Sequence, residues 1–349
     1  MGLLGPAVAD ASSPHLPGIT AQDLLAKVQT AKVDGLSGTV HSKTDLGLPV
    51  LPGVAGASQF TEFLTGEHTA RVAFATPDKA RVSVLDNQAE RVWTTDGKSA
   101  WAYDSDKREA TRLTVPAHPT LPDKKGVTPR DYDPQAVAKQ FLDAIDPTTK
   151  VQVSGTEKVA GRDAYKLRLV PKSDKSTVGS VTLAIDSKTW VPLDVTVMPR
   201  SGKNAAVEFG FTSVSFDVPS ASTFAFTPPK GVKVTDGKVP GAPGEKVPNR
   251  EVPRTFKPGQ GKPGADAKPT VIGEGWEAVA MIRSGETAQL TNGPLGQLLA
   301  KAPVVQGSWG KGKLVTSKMV NALITDDGRV FAGLVTPDTL QAAAAKAPR

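Results

Sequence analysis

Apolar and polar residues alternate along most of the chain. Period-two alternation runs through 36–43, 60–64, 69–75, 80–85, 90–95, 98–103 and 110–115. It resumes at 151–158, 164–170, 180–185, 193–198, 205–211 and 214–216. That spacing predicts strands with one face buried. Pro77-Asp78, Asp86-Asn87, Asp96-Gly97, Gly161-Arg162 and Asp186-Ser187 separate them, and such short connections predict an antiparallel meander. Two segments carry helical spacing instead. Thr20 caps the first, with Asp23 as its capping-box partner and Leu24, Leu25 and Val28 as the apolar stripe. The second starts at Asp133-Pro134, turns Val137, Phe141, Leu142 and Ile145 one way, and stops before Pro147. A dozen strands and two helices predict an α+β fold on one strongly curved antiparallel sheet.

The pattern lapses over 231–270, which is rich in Pro, Gly and Lys and reads as an extended linker. It returns over 271–349 with a strand at 276–283 and a helix at 293–301. A hairpin of 318–325 with 329–335 turns at Asp327-Gly328, and Thr336-Pro337 caps an Ala-rich helix. We read this as a small α+β appendage. The expected division is therefore 1–17 as the remnant of a leader, 18–230 as the main sheet domain, 231–270 as linker and 271–349 as appendage.

Charge sharpens this division. The 349 residues carry a net +7, and 230–268 hold nine Lys/Arg against four acids. The basic excess thus belongs mostly to the linker. Nucleic-acid binding wants a basic face interleaved with aromatics or base readers, and this linker offers one aromatic, Phe256. No nucleic-acid partner is expected; a basic tether near an anionic envelope surface, or plain solvation, fits better. Near the start, Ala7-Val8-Ala9 has the small-x-small form of a cleavage site. It reads either as the tail of a longer export or anchor segment or as a disordered leader.

Chemistry is sparse. The sequence has no Cys, so thiolate metal sites and Cys nucleophiles are excluded. The four His, at 15, 41, 68 and 118, show no metal-ligand spacing. Gly259, Gly261 and Gly264 match GxGxxG, but within the linker and around Pro263, without the strand–turn–helix that dinucleotides need. Gly307 to Lys313 has P-loop spacing, yet Leu314 stands where Ser or Thr would hold magnesium. There is no GxSxG elbow. Asp131 and Asp133 flank Tyr132, but Asp133 reads as a helix cap. We find no catalytic constellation, so no enzyme activity, cofactor or metal is expected.

The aromatics are few, five Trp and three Tyr, yet Trp93, Trp101 and Tyr103 surround one turn. A type I′ turn at Asp96-Gly97 would pair Thr95 with Lys98, Trp93 with Ala100 and Val92 with Trp101. Trp101 and Tyr103 then share a face with Val92, and Trp93 emerges on the other. Two apolar faces on one ribbon require cover from helices or a cavity. Val72 and Phe74, Val82 and Val84, Leu167 and Leu169, and Val181, Leu183 and Ile185 add to an apolar sheet face. So do Val207, Phe209 and Phe211.

Here a family resemblance enters. The stretch TDGKSAWAYD at 95–104 resembles the DGK-x-x-W-x-Y hairpin of LolA-type lipoprotein carriers. FAFTPPKGV at 224–232 resembles that family's closing strand. YKLRLVP at 165–171 and the segment 181–192 resemble its L-x-P-K and I-D…T…P strands, and the opening helix and LSGT at 36–39 also fit. The resemblance spans about 18–235. It implies a half-barrel of antiparallel sheet with helices as a lid over an apolar cavity. The superfamily includes lipoprotein carriers, RseB-type sensors of envelope stress and actinobacterial lipid-binding lipoproteins.

Two features depart from the carriers. Thr76 stands before Pro77, where they place an Arg that latches the lid. The loop LGLPVLPGVAGA at 46–57 is longer and more apolar than theirs. The fold therefore transfers better than the carrier cycle.

These readings set the functional expectation: an extracytoplasmic, non-enzymatic protein holding an acyl lipid or lipoprotein in an apolar cavity. The alternative is an RseB-type regulator that binds a membrane-protein partner. The expected cavity wall starts with Phe63, Val72, Phe74, Val82, Val84 and Trp101. It continues with Tyr103, Leu167, Leu169, Leu183, Ile185 and Phe209. The expected lid combines Leu24, Leu25 and Val28 with Phe141 and Leu142, and a flap of Leu48, Val50 and Leu51 touches the membrane peripherally or packs as a Pro-rich surface loop.

Overall fold

The structure, a computed structural model, describes residues 13–47, 66–86, 89–114, 147–237, 270–283 and 299–348. The expected helix at 133–145, the strand at 60–64 and most of the loop at 46–57 lie outside them. Phe63, Leu48, Val50, Leu51, Phe141 and Leu142 go with these segments.

Two antiparallel meanders build the larger sheet. The first contains β1 (Gly35–Thr44), β2 (Gly66–Ala75), β3 (Lys79–Asp86), β4 (Ala89–Asp96), β5 (Ser99–Asp104) and β6 (Glu109–Thr114). The second contains β7 (Thr149–Val159), β8 (Arg162–Pro171), β9 (Val178–Asp186), β10 (Pro192–Pro199) and β11 (Val207–Ser215). β1 pairs antiparallel with β2 on one side and β11 on the other, which joins the meanders into one sheet. A short β12 (Lys233–Gly237) follows β6 at one edge and β7 forms the other, so the twelve-stranded sheet is open.

Three expectations need correction. β12 pairs parallel with β6, so the sheet is not purely antiparallel, and this strand occupies residues expected to be linker. The segments 205–211 and 214–216 form one strand, β11, because a bulge opposite Thr39 and Val40 absorbs the break in alternation. Finally, FAFTPPKGV is not a strand. Phe224 ends a single helical turn, Ala221–Phe224, and the chain then runs on without sheet pairing to β12.

Helix α1 (Ala21–Thr30) starts where the sequence places it. Thr20 Oγ1 accepts from the Asp23 amide at 3.0 Å and donates to Asp23 Oδ2 at 2.7 Å. Leu24 is fully buried against Tyr165, Leu167 and Ile185, with Leu25 and Val28 at the margin of the same cluster. Residues preceding the helix also belong to the folded unit. Thr156 Oγ1 donates to the Pro14 carbonyl at 2.7 Å, Tyr165 Oη donates to the Pro17 carbonyl at 3.0 Å, and Leu16 packs with the α1 cluster. Pro14, Leu16 and Pro17, expected to fall within the leader remnant, thus contact the sheet domain.

The smaller sheet has six antiparallel strands in the order β13-β14-β18-β17-β16-β15. These are β13 (Thr270–Ile272), β14 (Val279–Arg283), β15 (Val304–Gly307), β16 (Gly310–Val315), β17 (Asn321–Thr325) and β18 (Arg329–Gly333). The P-loop-like spacing at 307–313 is simply the β15–β16 hairpin. The last helix, Pro337–Lys346, is capped by Thr336 with Pro337 in its first turn. Its Leu340, Ala343 and Ala344 seal a core of Val279, Leu323 and Phe331.

The two sheets are docked. The Thr336 amide donates to the Lys175 carbonyl at 2.8 Å, and the Thr177 amide donates to the Leu334 carbonyl at 3.0 Å. Thr177 Oγ1 donates to the Met319 carbonyl at 2.6 Å. Trp276 Nε1 reaches Thr149 Oγ1 at 2.7 Å, and Lys318 pairs with Asp45 at 3.1 Å. Beneath these polar contacts Met319 is buried among Val178, Ala206, Leu46, Val181 and Val197.

Candidate functional site

Register decides which side chains share a face, because residues directly opposite in a sheet point the same way and neighbours along a strand point oppositely. Leu36, Gly38 and Val40 of β1 lie opposite Phe74, Val72 and Ala70 of β2. These in turn lie opposite Ala80, Val82 and Val84 of β3, and Val82 lies opposite Trp93 of β4. On the other side, Ser42 lies opposite Phe209, Phe209 opposite Val195, and Val195 opposite Leu183. Leu183 faces Leu167, and Ile185 faces Tyr165. One largely apolar face therefore runs across both meanders, interrupted by Ser42 and His68 where they join.

Val72, Phe74, Val82, Val84, Leu167, Leu169, Leu183, Ile185 and Phe209 all stand on that face. Its cover is uneven. α1 lies over the β8–β9 end, where Leu167 and Ile185 are buried. Met319 and Val320 of the smaller sheet pack against Val181 and Val197. Between and beyond, Phe209 is 50% exposed and Val82 37% exposed. An exposed Phe between Ser42 on one side and Val195, Leu183 and Leu167 on the other is the most conspicuous feature of this face.

Trp101 and Tyr103 depart from the expected wall. The hairpin register is shifted by two residues, so Val92 lies opposite Tyr103 and Thr94 opposite Trp101. The turn causes this: Gly97 takes the left-handed φ of +87°, while Asp96 Oδ1 accepts from the Lys98 and Ser99 amides at 2.9 and 2.8 Å. A shift of two preserves the faces. Trp101 and Tyr103 thus share Val92's face, opposite the apolar wall. Both meet Phe226, at ring centroid distances of 5.6 and 5.5 Å. Phe224, on the same segment, is buried against Ala73 and Ala75, and Thr94 Oγ1 donates to its carbonyl at 2.9 Å. The family-like hairpin and the FAFTPP segment are therefore partners in packing on the second face.

Two clefts are formed by described residues. One, of about 810 Å³, lies between α1 with the residues just before it and the pair Tyr165 and Trp190. The other, of about 550 Å³, lies on the face opposite the apolar wall, among β1, β2, β3 and β11. Among the expected wall residues, Val72 alone borders either of these two clefts.

The first cleft shows what sequence reading missed. Trp190 holds a φ of +62°, a strained backbone for a bulky residue. A network fixes that turn: buried Asp186 accepts from Arg162 Nε at 2.5 Å, Arg162 Nη2 at 3.0 Å and the Thr189 amide at 2.6 Å. Burial acts to raise the Asp186 carboxyl, but these donors together hold it below the usual range. Trp190 stacks on Tyr165 at 6.1 Å, with Lys27 Nζ 4.3 Å from its ring centroid. The indole is thereby engaged within the protein. The I-D…T…P pattern hinted at this turn, and nothing in the local sequence announced the positive φ.

Among the described residues, no group of three His, Asp or Glu is placed to hold a metal ion, and no helix is long and apolar enough to cross a membrane.

The class of protein thus defined is an open, mostly antiparallel sheet with one long apolar face, carrying a docked α+β unit. No protein-family model and no curated protein matches the chain. Among solved structures it is similar to the MucA/MucB complex of Pseudomonas aeruginosa, at 15% identity over 93% of this chain and 96% of that chain, with a TM-score of 0.45. It is similar to an uncharacterized conserved protein from Thermus thermophilus at 14% identity, 62% and 99% coverage and a TM-score of 0.35. It is also similar to a LolA superfamily protein from Nitrosomonas europaea at 13% identity, 60% and 99% coverage and a TM-score of 0.23. The LolA resemblance read in the sequence recurs here by name; at these identities and TM-scores the likenesses carry no further inference.

Proposed function

We propose that the protein is an extracytoplasmic, non-enzymatic binding protein that holds acyl chains of a lipid or lipoprotein against the apolar sheet face. The observation that carries this reading is the broad, largely apolar sheet face with Phe209 half exposed in it. In this reading the sheet curves around its ligand, with α1 and its Leu24, Leu25 and Val28 as one side of a lid. The driving force is transfer of hydrocarbon out of water, worth about 0.8 kcal/mol per buried methylene. Ten methylenes then contribute about 8 kcal/mol before the cost of ordering the chain is subtracted. No titrating group is needed for such a step. Native mass spectrometry after gentle purification tests the reading, together with titration by a fluorescent fatty acid. Co-purified lipid or saturable fatty-acid binding is expected; a lipid-free protein that ignores the probe rules it out.

The docked second unit favours an alternative, regulation through a membrane-protein partner. A composite surface formed from two sheets joined by buried Met319 and several hydrogen bonds is suited to macromolecular recognition. A pull-down from membranes separates the readings: a stoichiometric protein partner supports regulation, whereas lipid alone supports acyl binding.

A further inference from the structure

We propose that the cleft of about 550 Å³ on the polar face of the larger sheet binds a phosphorylated polyol. Arg71 and Arg81 both border it. Their register makes them diagonal neighbours on one face, since Arg71 lies opposite Ser83 and Arg81 opposite Ala73. Diagonal neighbours of this kind sit about 7 Å apart. Arg71 has no hydrogen bond or ion pair among the described residues. Arg81 donates to Ser83 Oγ at 3.4 Å and to the Thr223 and Ala225 carbonyls at 3.3 Å, none of them a carboxylate. Glu90 is the one carboxylate among the residues lining the cleft, so the two neighbouring guanidinium groups leave it net positive, and a dianion bridging them neutralises that charge. Their planar forks fit phosphate oxygens in pairs.

The remaining lining specifies more than phosphate. Ser37, Thr39 and Ser83 present hydroxyls along the cleft, and Glu90 adds one carboxylate. Hydroxyls and a carboxylate suit the donors and acceptors of a sugar or cyclitol ring. The volume also exceeds what a lone phosphate needs and lies within the range of small-molecule sites. Because the sheet separates this cleft from the apolar wall, one molecule cannot fill both. The ligand is therefore a free sugar phosphate or a headgroup presented at a membrane, and the site stands or falls independently of acyl binding.

Isothermal titration of the full chain with myo-inositol 1-phosphate, inorganic phosphate and free inositol tests this. Inositol phosphate is expected to bind at least tenfold more tightly than either fragment. Arg71→Gln, at an exposed side chain that supports no other contact, is expected to weaken it tenfold or more. Ser37→Ala is expected to narrow the gap between inositol phosphate and inorganic phosphate. Sedimentation with phosphatidylinositol vesicles, lost on Arg71→Gln, assigns the ligand to a lipid headgroup; binding of the free phosphate without the vesicles assigns it to a soluble one. Absence of binding, equal affinity for inorganic phosphate, or indifference to Arg71→Gln overturns the proposal.

Discussion

The two sheets use apolar residues in opposite ways. The smaller sheet folds its large side chains inward: Phe331, Leu323 and Leu340 are wholly buried beneath the last helix. The larger sheet has twice as many strands but divides its buried apolar residues among small clusters around Leu24, Phe224 and Met319. It leaves Phe209 half exposed between them. The smaller sheet is an ordinary closed core. Among the described residues, the larger one leaves Phe209 and Val82 of its apolar face exposed, as the proposed binding wall requires.

The largest effect that separates the two is a pair of truncations. Phe331→Ala is expected to destabilise the smaller sheet by about 3–5 kcal/mol, as buried Phe truncations do. Phe209→Ala is expected to cost about 1 kcal/mol or less, while sharply reducing bound lipid. Chemical denaturation and fatty-acid titration of both variants measure this. Equal stability losses would erase the distinction between core and wall.

Next in size is the seam. Met319 is buried between the sheets, so Met319→Ala is expected to cost about 2–5 kcal/mol. Because the loss falls on docking, calorimetry should resolve two transitions where the parent protein shows one. A single lowered transition would mean that the sheets remain one cooperative unit.

Much of this contrast was legible in the sequence. Alternation located the strands of both meanders, because period two persists wherever one face is buried. The faces of Trp93 and Trp101 also followed from alternation, and survived a register error because the slip was even. What escaped were contacts that join distant segments. Phe226 sits far along the chain from Trp101, and no local pattern signals that their rings meet. The parallel pairing of β12 was hidden within a basic, Pro- and Gly-rich stretch whose composition suggested linker. The Arg71 and Arg81 cleft was hidden differently. Each Arg looked like the polar member of an alternating strand, and only the β2–β3 register makes them neighbours.

Smaller effects appear in the pH dependence of single substitutions. In the smaller sheet, Asp327 is lowered to about 2, chiefly by its hydrogen bond from Arg329. A lowered carboxylate contributes stability above its unfolded value and loses that contribution as pH falls through the folded one. Asp327 is 44% exposed, so screening limits its own share to about 1 kcal/mol. Arg329 is 1% exposed, however, and loses its only carboxylate partner among the described residues. Asp327→Asn is thus expected to cost at least about 1 kcal/mol at pH 7, with the difference from the parent fading between about pH 4 and pH 2. A cost that persists unchanged in acid would exclude the ion pair as its source.

The larger sheet supplies the opposite sign. Asp194 points to the polar face from β10, and burial raises its carboxyl above the usual value, with Glu157 and Glu208 adding repulsion and the Thr196 hydroxyl opposing them. A raised carboxylate prefers its protonated form when folded, so at neutral pH its charge works against the fold. Asp194→Asn keeps an oxygen for the Thr196 hydroxyl, 3.0 Å away, and removes that charge. It is expected to stabilise the protein at pH 7 by about 0.5 kcal/mol, within the range of well-tolerated single substitutions. As pH falls through the raised value toward the ordinary carboxylate value, the parent protein gains a proton and the advantage of Asn disappears. Denaturation of the parent and the variant at about pH 7 and pH 3 reads this directly. Asp327→Asn and Asp194→Asn should therefore converge on the parent in acid from opposite sides, the first from below and the second from above. If Asp194→Asn is destabilising at neutral pH, the carboxylate contributes a favourable interaction on the polar face that outweighs its burial.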